Sequence, residues 1–151
     1  MGDRVQRRPL FFIHKINSPI RMSHTSTLII PLVFALPALL FLISSMIKAS
    51  SFREKLSMIL YILTFLSTTL TSALGGSSMR KTEVITGVNL KALSLHAWFG
   101  ATSFVLSVLL LFFAIKILRK NKKLLYSYIL MTTLIYLAFY SISIFSSGQI
   151  F

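Results

Sequence analysis

Four apolar stretches, at residues 28–47, 56–74, 92–118 and 124–146, are each long enough to cross a bilayer, and almost every charge falls between them. A helix needs about 20 residues to span a hydrocarbon layer about 30 Å thick. Inside that layer no water satisfies backbone N–H and C=O groups, so a crossing segment must bond them internally, as a helix does. The expected fold is therefore all-α: a polytopic membrane protein built as an up-and-down bundle of four transmembrane helices. The links at residues 49–55 and 119–123 are short enough to make tight hairpins, while the middle link, residues 75–91, is longer and carries Glu83. Pro31 and Pro37 lie in the first span, where Pro37 removes a backbone donor and should bend the helix.

Composition narrows the function classes. The mean hydropathy is +0.80 and apolar residues make up 55% of the chain, so lipid is the solvent for most of it. Sixteen Lys and Arg against Asp3, Glu54 and Glu83 give a net charge of +13. On a soluble domain that excess would suggest nucleic acid. Here it sits in short clusters beside the spans, the pattern of headgroup anchors, so the expected partners are the lipid bilayer and other membrane subunits, with no nucleic acid. With no cysteine the chain has no disulfide, thiolate nucleophile, iron–sulfur ligand or Cys-based zinc site. Residues 1–22 read as a basic leader or interfacial arm, and residues 23–151 as the transmembrane domain. Leu10, Phe11, Phe12 and Ile13 of the leader can dip into lipid among basic neighbours.

Orientation does not follow from charge. The leader and middle link hold eight basic residues, and the two hairpin links, counted with Lys48 and Lys116 at the adjoining span ends, hold eight, a tie under the positive-inside rule. A start at Met22 would break the tie and turn both termini outward. In either case the first and third helices begin on the face where the second and fourth end. His24 and His96 then share one membrane face, together with Gly75, Gly76, Glu83, Gly148 and Gln149.

The two hairpins also share landmarks. A shift of 72 residues places His24 on His96, Lys48 on Lys120 and Gly76 on Gly148, yet only seven of the 53 aligned pairs are identical. Two unrelated apolar hairpins would match as well as that. A true duplication would place the copies around an axis along the membrane normal.

Small and hydroxyl residues recur at helical spacing within the spans: Thr64, Thr68, Thr71 and Gly75; His96, Gly100, Ser103, Ser107 and Ala114; Thr133, Tyr136, Tyr140, Ser143 and Ser147. Such stripes let helices approach closely and bond through their side chains. A solute or proton path would use the same stripes, normally with an acid at mid-membrane, and all three acids lie outside the spans. Large apolar residues, including Leu109, Leu110, Phe112 and Phe113 of the third span and Leu137 and Phe139 of the fourth, are expected to face lipid or larger subunits.

His24 and His96 are the candidates for chemistry. Two neutral imidazoles on facing helices can clamp a porphyrin inside a four-helix bundle, so the pair points to one b-type haem between helices 1 and 3, with both histidines on the iron. Gly100 leaves room for the ring, Trp98, Phe99 and Phe104 can line it, and Arg80 and Lys81 can meet the propionates. Two histidines are too few for a copper or zinc site. No nucleophile, base and orienter can be assembled, which argues against an enzyme acting alone.

Several short motifs carry a resemblance. A histidine before the first span, Ser72-Ala73-Leu74-Gly75-Gly76 ending the second, His96-Ala97-Trp98-Phe99-Gly100 opening the third and Ser147-Gly148-Gln149-Ile150-Phe151 closing the fourth are similar to a family of uncharacterised four-helix prokaryotic integral membrane proteins. More distantly, they resemble compact b-type cytochrome domains. The likeness covers residues 24–151, and at the first helix His24-Thr25-Ser26 stands where that family carries a His-Pro or His-Phe-Pro signature. The resemblance implies a prokaryotic cell membrane and redox company. Two functions follow as expectations: a small accessory subunit of a membrane electron-transfer complex, such as a respiratory oxidase or oxygenase, holding one b-haem; or a free-standing four-helix carrier or channel for a small polar solute.

Overall fold

The computed structural model describes residues 27–82, 89–120 and 124–147. Four helices make up this region: α1 (Ile30–Ile47), α2 (Ser51–Thr82), α3 (Leu90–Lys120) and α4 (Leu124–Ser147). All four are long and apolar enough to cross a membrane. The all-α four-span architecture read from the sequence is thus the architecture found. His24, Glu83, Gly148 and Gln149, with the leader at residues 1–22, lie outside the described residues.

Local chemistry sets the helix starts. Pro31 occupies the first turn of α1, where its missing N–H would lack a helical partner in any case. Ser50 caps α2 through Oγ, which accepts from the Arg53 N–H at 3.5 Å, and Asn89 caps α3 through Oδ1, which accepts from the Ala92 N–H at 3.2 Å. These caps move the helix starts outward from the apolar runs, because a side-chain acceptor satisfies an orphan donor of the first turn. The first link therefore shrinks to residues 48–50, and α1 runs through Pro37 without ending there.

The middle link is corrected most. It was expected to open at Gly75, yet α2 stays helical through Gly75 and Gly76 to Thr82. Each helical glycine costs about 1 kcal/mol relative to alanine, too little to halt a helix already anchored over six turns.

Successive helices pack side by side from α1 to α4, and α1 approaches α4 more sparsely. Residues facing inward repeat at alternating steps of three and four: Pro31, Ala35, Ala38 and Leu42 on α1; Ser103, Ser107, Leu110, Ala114 and Ile117 on α3; Ile129, Thr133, Tyr136, Tyr140 and Ser143 on α4. That spacing is the narrow seam of left-handed bundle packing. Small and hydroxyl side chains fill much of it, while Leu40, Leu66, Leu70, Val105 and Phe112 point outward. A water-soluble bundle sorts its residues the other way. The expected lipid-facing set needs correction: Leu110 is fully buried, because it continues the Ser103–Ser107 seam by one three-residue step, and Phe113 and Leu137 are half-buried against the core.

α2 and α4 oppose each other across the bundle and are joined by side chains. The Tyr61 hydroxyl lies 3.0 Å from Thr133 Oγ1, and the Tyr126 hydroxyl bonds the Glu54 carboxylate. In both pairs the partners are 72 positions apart, the interval that aligns the two hairpins. Side chains nearest a two-fold axis meet their own copies. These two levels of contact are what duplicated hairpins around an axis along the membrane normal would produce.

Candidate functional site

The face holding the N-termini of α1 and α3 is built around α3 and α4. His96 lies in the second turn of α3, half-buried, and its Nδ1 is 2.8 Å from the Ser143 carbonyl oxygen of α4. A carbonyl oxygen only accepts, so Nδ1 carries the proton. In the neutral ring Nε2 then holds the lone pair. Ser143 Oγ lies 3.2 Å from Nδ1 and 3.3 Å from the His96 carbonyl oxygen, so Ser143 meets His96 through both its backbone and its side chain. This hydroxyl is exposed to that carbonyl because Ser143, on the inward seam of α4, ends its chain at one heavy atom beyond Cβ.

Gly100 completes the contact. A Cβ there would meet Ser143 Oγ at 3.5 Å, an ordinary van der Waals distance. The absent side chain thus lies on the α4 side of α3, where helices meet. The aromatic residues nearby are dispersed. Trp98 faces outward at 73% exposure, Phe99 tilts onto Phe139 of α4 with ring centroids 5.4 Å apart, and Phe104 meets Phe65 of α2 at 6.4 Å. Arg80 and Lys81 belong to the last turns of α2, with side chains outside the described residues. Of the sequence-derived set, His96 and Gly100 are brought together, on Ser143.

Behind this face, the bundle interior is a ladder of hydroxyls. Thr68 Oγ1 is 2.7 Å from both the Thr64 carbonyl oxygen and the Tyr136 hydroxyl. Thr133 Oγ1 is 2.6 Å from the Ile129 carbonyl oxygen as well as near Tyr61. Thr68 has one proton, and donating it to the Thr64 carbonyl makes Tyr136 the donor across the bundle, whereas Thr133 Oγ1 shares its proton between the Ile129 carbonyl and the Tyr61 hydroxyl. Tyr140 donates to the Leu28 carbonyl at 3.0 Å and stacks on Tyr136 at 5.4 Å. Near the same membrane face, Thr71 Oγ1 lies 3.2 Å from the Thr27 carbonyl oxygen. Thr71 and Ser143 are 72 positions apart; the Thr71 hydroxyl also lies 2.9 Å from the Ser67 carbonyl of its own helix.

Tyr61, Ser57 and Ser146 were absent from the stripes read in the sequence. Ser57 donates to the Ala38 carbonyl at 2.7 Å, tying α2 to α1. The signal available was spacing: Ser57, Tyr61, Thr64, Thr68 and Thr71 form one continuous seam, which the stripe beginning at Thr64 truncates.

Among the described residues no three His, Cys, Asp or Glu side chains come together as a metal site. The Nδ1 bond of His96 to a backbone carbonyl is of the kind that ligating histidines ordinarily make through their other ring nitrogen. Comparison with family models, curated proteins and solved structures found no match to this chain.

Proposed function

We propose that this protein is a small accessory subunit of a larger membrane assembly of the electron-transfer kind, embedded in a prokaryotic cell membrane. The observation that carries this reading is the division of labour in the bundle. Its buried hydroxyls are occupied within the bundle, some joining helices to one another and others bonding carbonyls of their own helix, and its outward faces present large apolar side chains along all four spans. Such a bundle is held together from within and offers its whole flank to lipid or neighbouring subunits. The same occupancy favours this reading over a solute carrier, whose path would need those hydroxyls to exchange partners.

The redox part of the proposal rests on His96. Its Nδ1–H bond to the Ser143 carbonyl puts the neutral ring's lone pair on Nε2, the nitrogen that in this proposal takes the iron, and a b-type haem bound there would supply one-electron transfer. His24 is the second ligand in this proposal, with Arg80 and Lys81 for the propionates. This chain's own contribution is orientation: Ser143 sets the ring plane, and Gly100 keeps α3 and α4 close enough for it to do so.

Extraction from the native membrane in mild detergent, followed by native electrophoresis and visible spectroscopy, tests both parts. The protein should migrate well above its 17.0 kDa mass with other subunits, and carry a Soret band that His96→Ala abolishes. Migration as a lone small species in every detergent would overturn the accessory role. Co-migration without a Soret band would overturn the haem and leave the accessory role standing.

A further inference from the structure

At the opposite face, on the outside of α3, a cleft of about 340 Å³ is lined by Phe112, Ile115, Lys116 and Arg119. These positions are related by three- and four-residue steps, so they form one stripe of the helix. The volume is at the low end of ligand clefts, which run from about 300 to 1,000 Å³. Its lining divides by chemistry: Phe112 and Ile115 lie toward the bilayer, Lys116 and Arg119 toward the aqueous link.

The lysine has an unusual posture for a span end. Lys116 is four residues before the end of α3, about 6 Å along the axis, and its stem is long enough to carry the ammonium outward to water. Instead Nζ lies over the Phe112 ring, 4.7 Å from the centroid. The side chain is therefore folded one turn back toward the hydrocarbon, held there in part by the attraction of a cation to the aromatic face. A cation drawn back beside an exposed apolar wall, with a second cation one turn nearer the aqueous link, calls for an anion that carries its own hydrocarbon.

We infer that this cleft binds an anionic phospholipid, with the phosphate between Lys116 and Arg119 and an acyl chain along Phe112 and Ile115. Charge complementarity selects the occupant: a zwitterionic lipid brings its own ammonium against the two cations, and inorganic phosphate leaves the apolar wall uncovered. This inference stands apart from the electron-transfer role and needs neither histidine.

The full-length protein, purified in detergent and incubated with defined mixed micelles, is assayed for retained lipid by native mass spectrometry. Dioleoylphosphatidylglycerol should be retained in preference to dioleoylphosphatidylcholine. Each cation is expected to contribute roughly fivefold, so Lys116→Gln with Arg119→Gln should remove most of the preference. Lys116→Arg should keep it, and helicity by circular dichroism should be unchanged throughout because both side chains are exposed. Lys122→Gln with Lys123→Gln, in the adjoining link, should change retention far less than the cleft pair. Equal retention of the two lipids by the wild type would overturn the inference. So would an equal loss in the link variant, which would mark a diffuse attraction, and so would full competition by inorganic phosphate.

Discussion

Tyr136 donates its hydroxyl proton across the bundle to Thr68, which passes its own proton back into its helix at the Thr64 carbonyl. Removing the tyrosine oxygen leaves Thr68 satisfied by that carbonyl, so the loss should be modest. Interhelical hydrogen bonds inside membranes average about 0.6 kcal/mol and reach about 1.7 kcal/mol. A double-mutant cycle of Tyr136→Phe and Thr68→Val, measured by reversible unfolding in mixed micelles, should return a coupling in that range. A coupling indistinguishable from zero would show that the two hydroxyls contribute through packing alone. Gly100 is the complementary case, where absence of a side chain is the contribution. Its Cβ position meets Ser143 Oγ at 3.5 Å, so Gly100→Ala gains helix propensity of about 1 kcal/mol without a clash, whereas Gly100→Leu must push α4 away and break the His96–Ser143 contact. Unfolding should place the alanine variant at or above wild type and the leucine variant below it.

Among the elements, α2 departs furthest from its apolar run. Its described helix extends eight residues beyond the span end at Leu74, through two glycines and a polar, basic segment. Glycine weakens a helix by backbone entropy and does not forbid it. The segment beyond Gly76 lacks the apolar seam that anchors the rest, so its helical state depends on those two residues. Replacing both by alanine should stabilise this end by about 2 kcal/mol in total. Amide exchange at residues 77–82 should slow in the double variant. Unchanged exchange there would mean that the segment is held by contacts rather than by its own propensity. The caps act in the same sense at the other ends: Ser50 and Asn89 extend α2 and α3 beyond their apolar runs because a single side-chain oxygen satisfies a first-turn donor.

For the molecule as a whole, four antiparallel spans put the two hairpin links on one face and the starts of α1 and α3 on the other. A reporter inserted at Lys120 and one following Phe151 should therefore lie on opposite sides of the membrane. Finding both on one side would eliminate the four-span topology. The hairpins meet through α2 and α4, where Tyr61 faces Thr133 and Glu54 faces Tyr126. Contacts between positions 72 apart at two levels bring the halves to matched depth, a relation that seven scattered identities leave undecided in the sequence.

The helix count, the limits of the first, third and fourth helices to within a few residues and the greater part of the hydroxyl seams were determined by sequence alone. Bilayer thickness dictates the length of an apolar run, and helical periodicity puts Thr64, Thr68 and Thr71, or Ser103 and Ser107, on one face. His96 and Gly100 were likewise legible as neighbours one turn apart. What they touch was decided only by tertiary structure. A helical face can meet either neighbouring helix, and in lipid an apolar side chain gains little by choosing the interior over the exterior. Leu110 in the core, the Gly100 notch set against Ser143 and the Nδ1 proton of His96 directed at the Ser143 carbonyl therefore follow from which helices adjoin. So does the fold-back of Lys116 onto Phe112, since a long stem reaches water or an aromatic ring equally well and the geometry of the stripe selects between them.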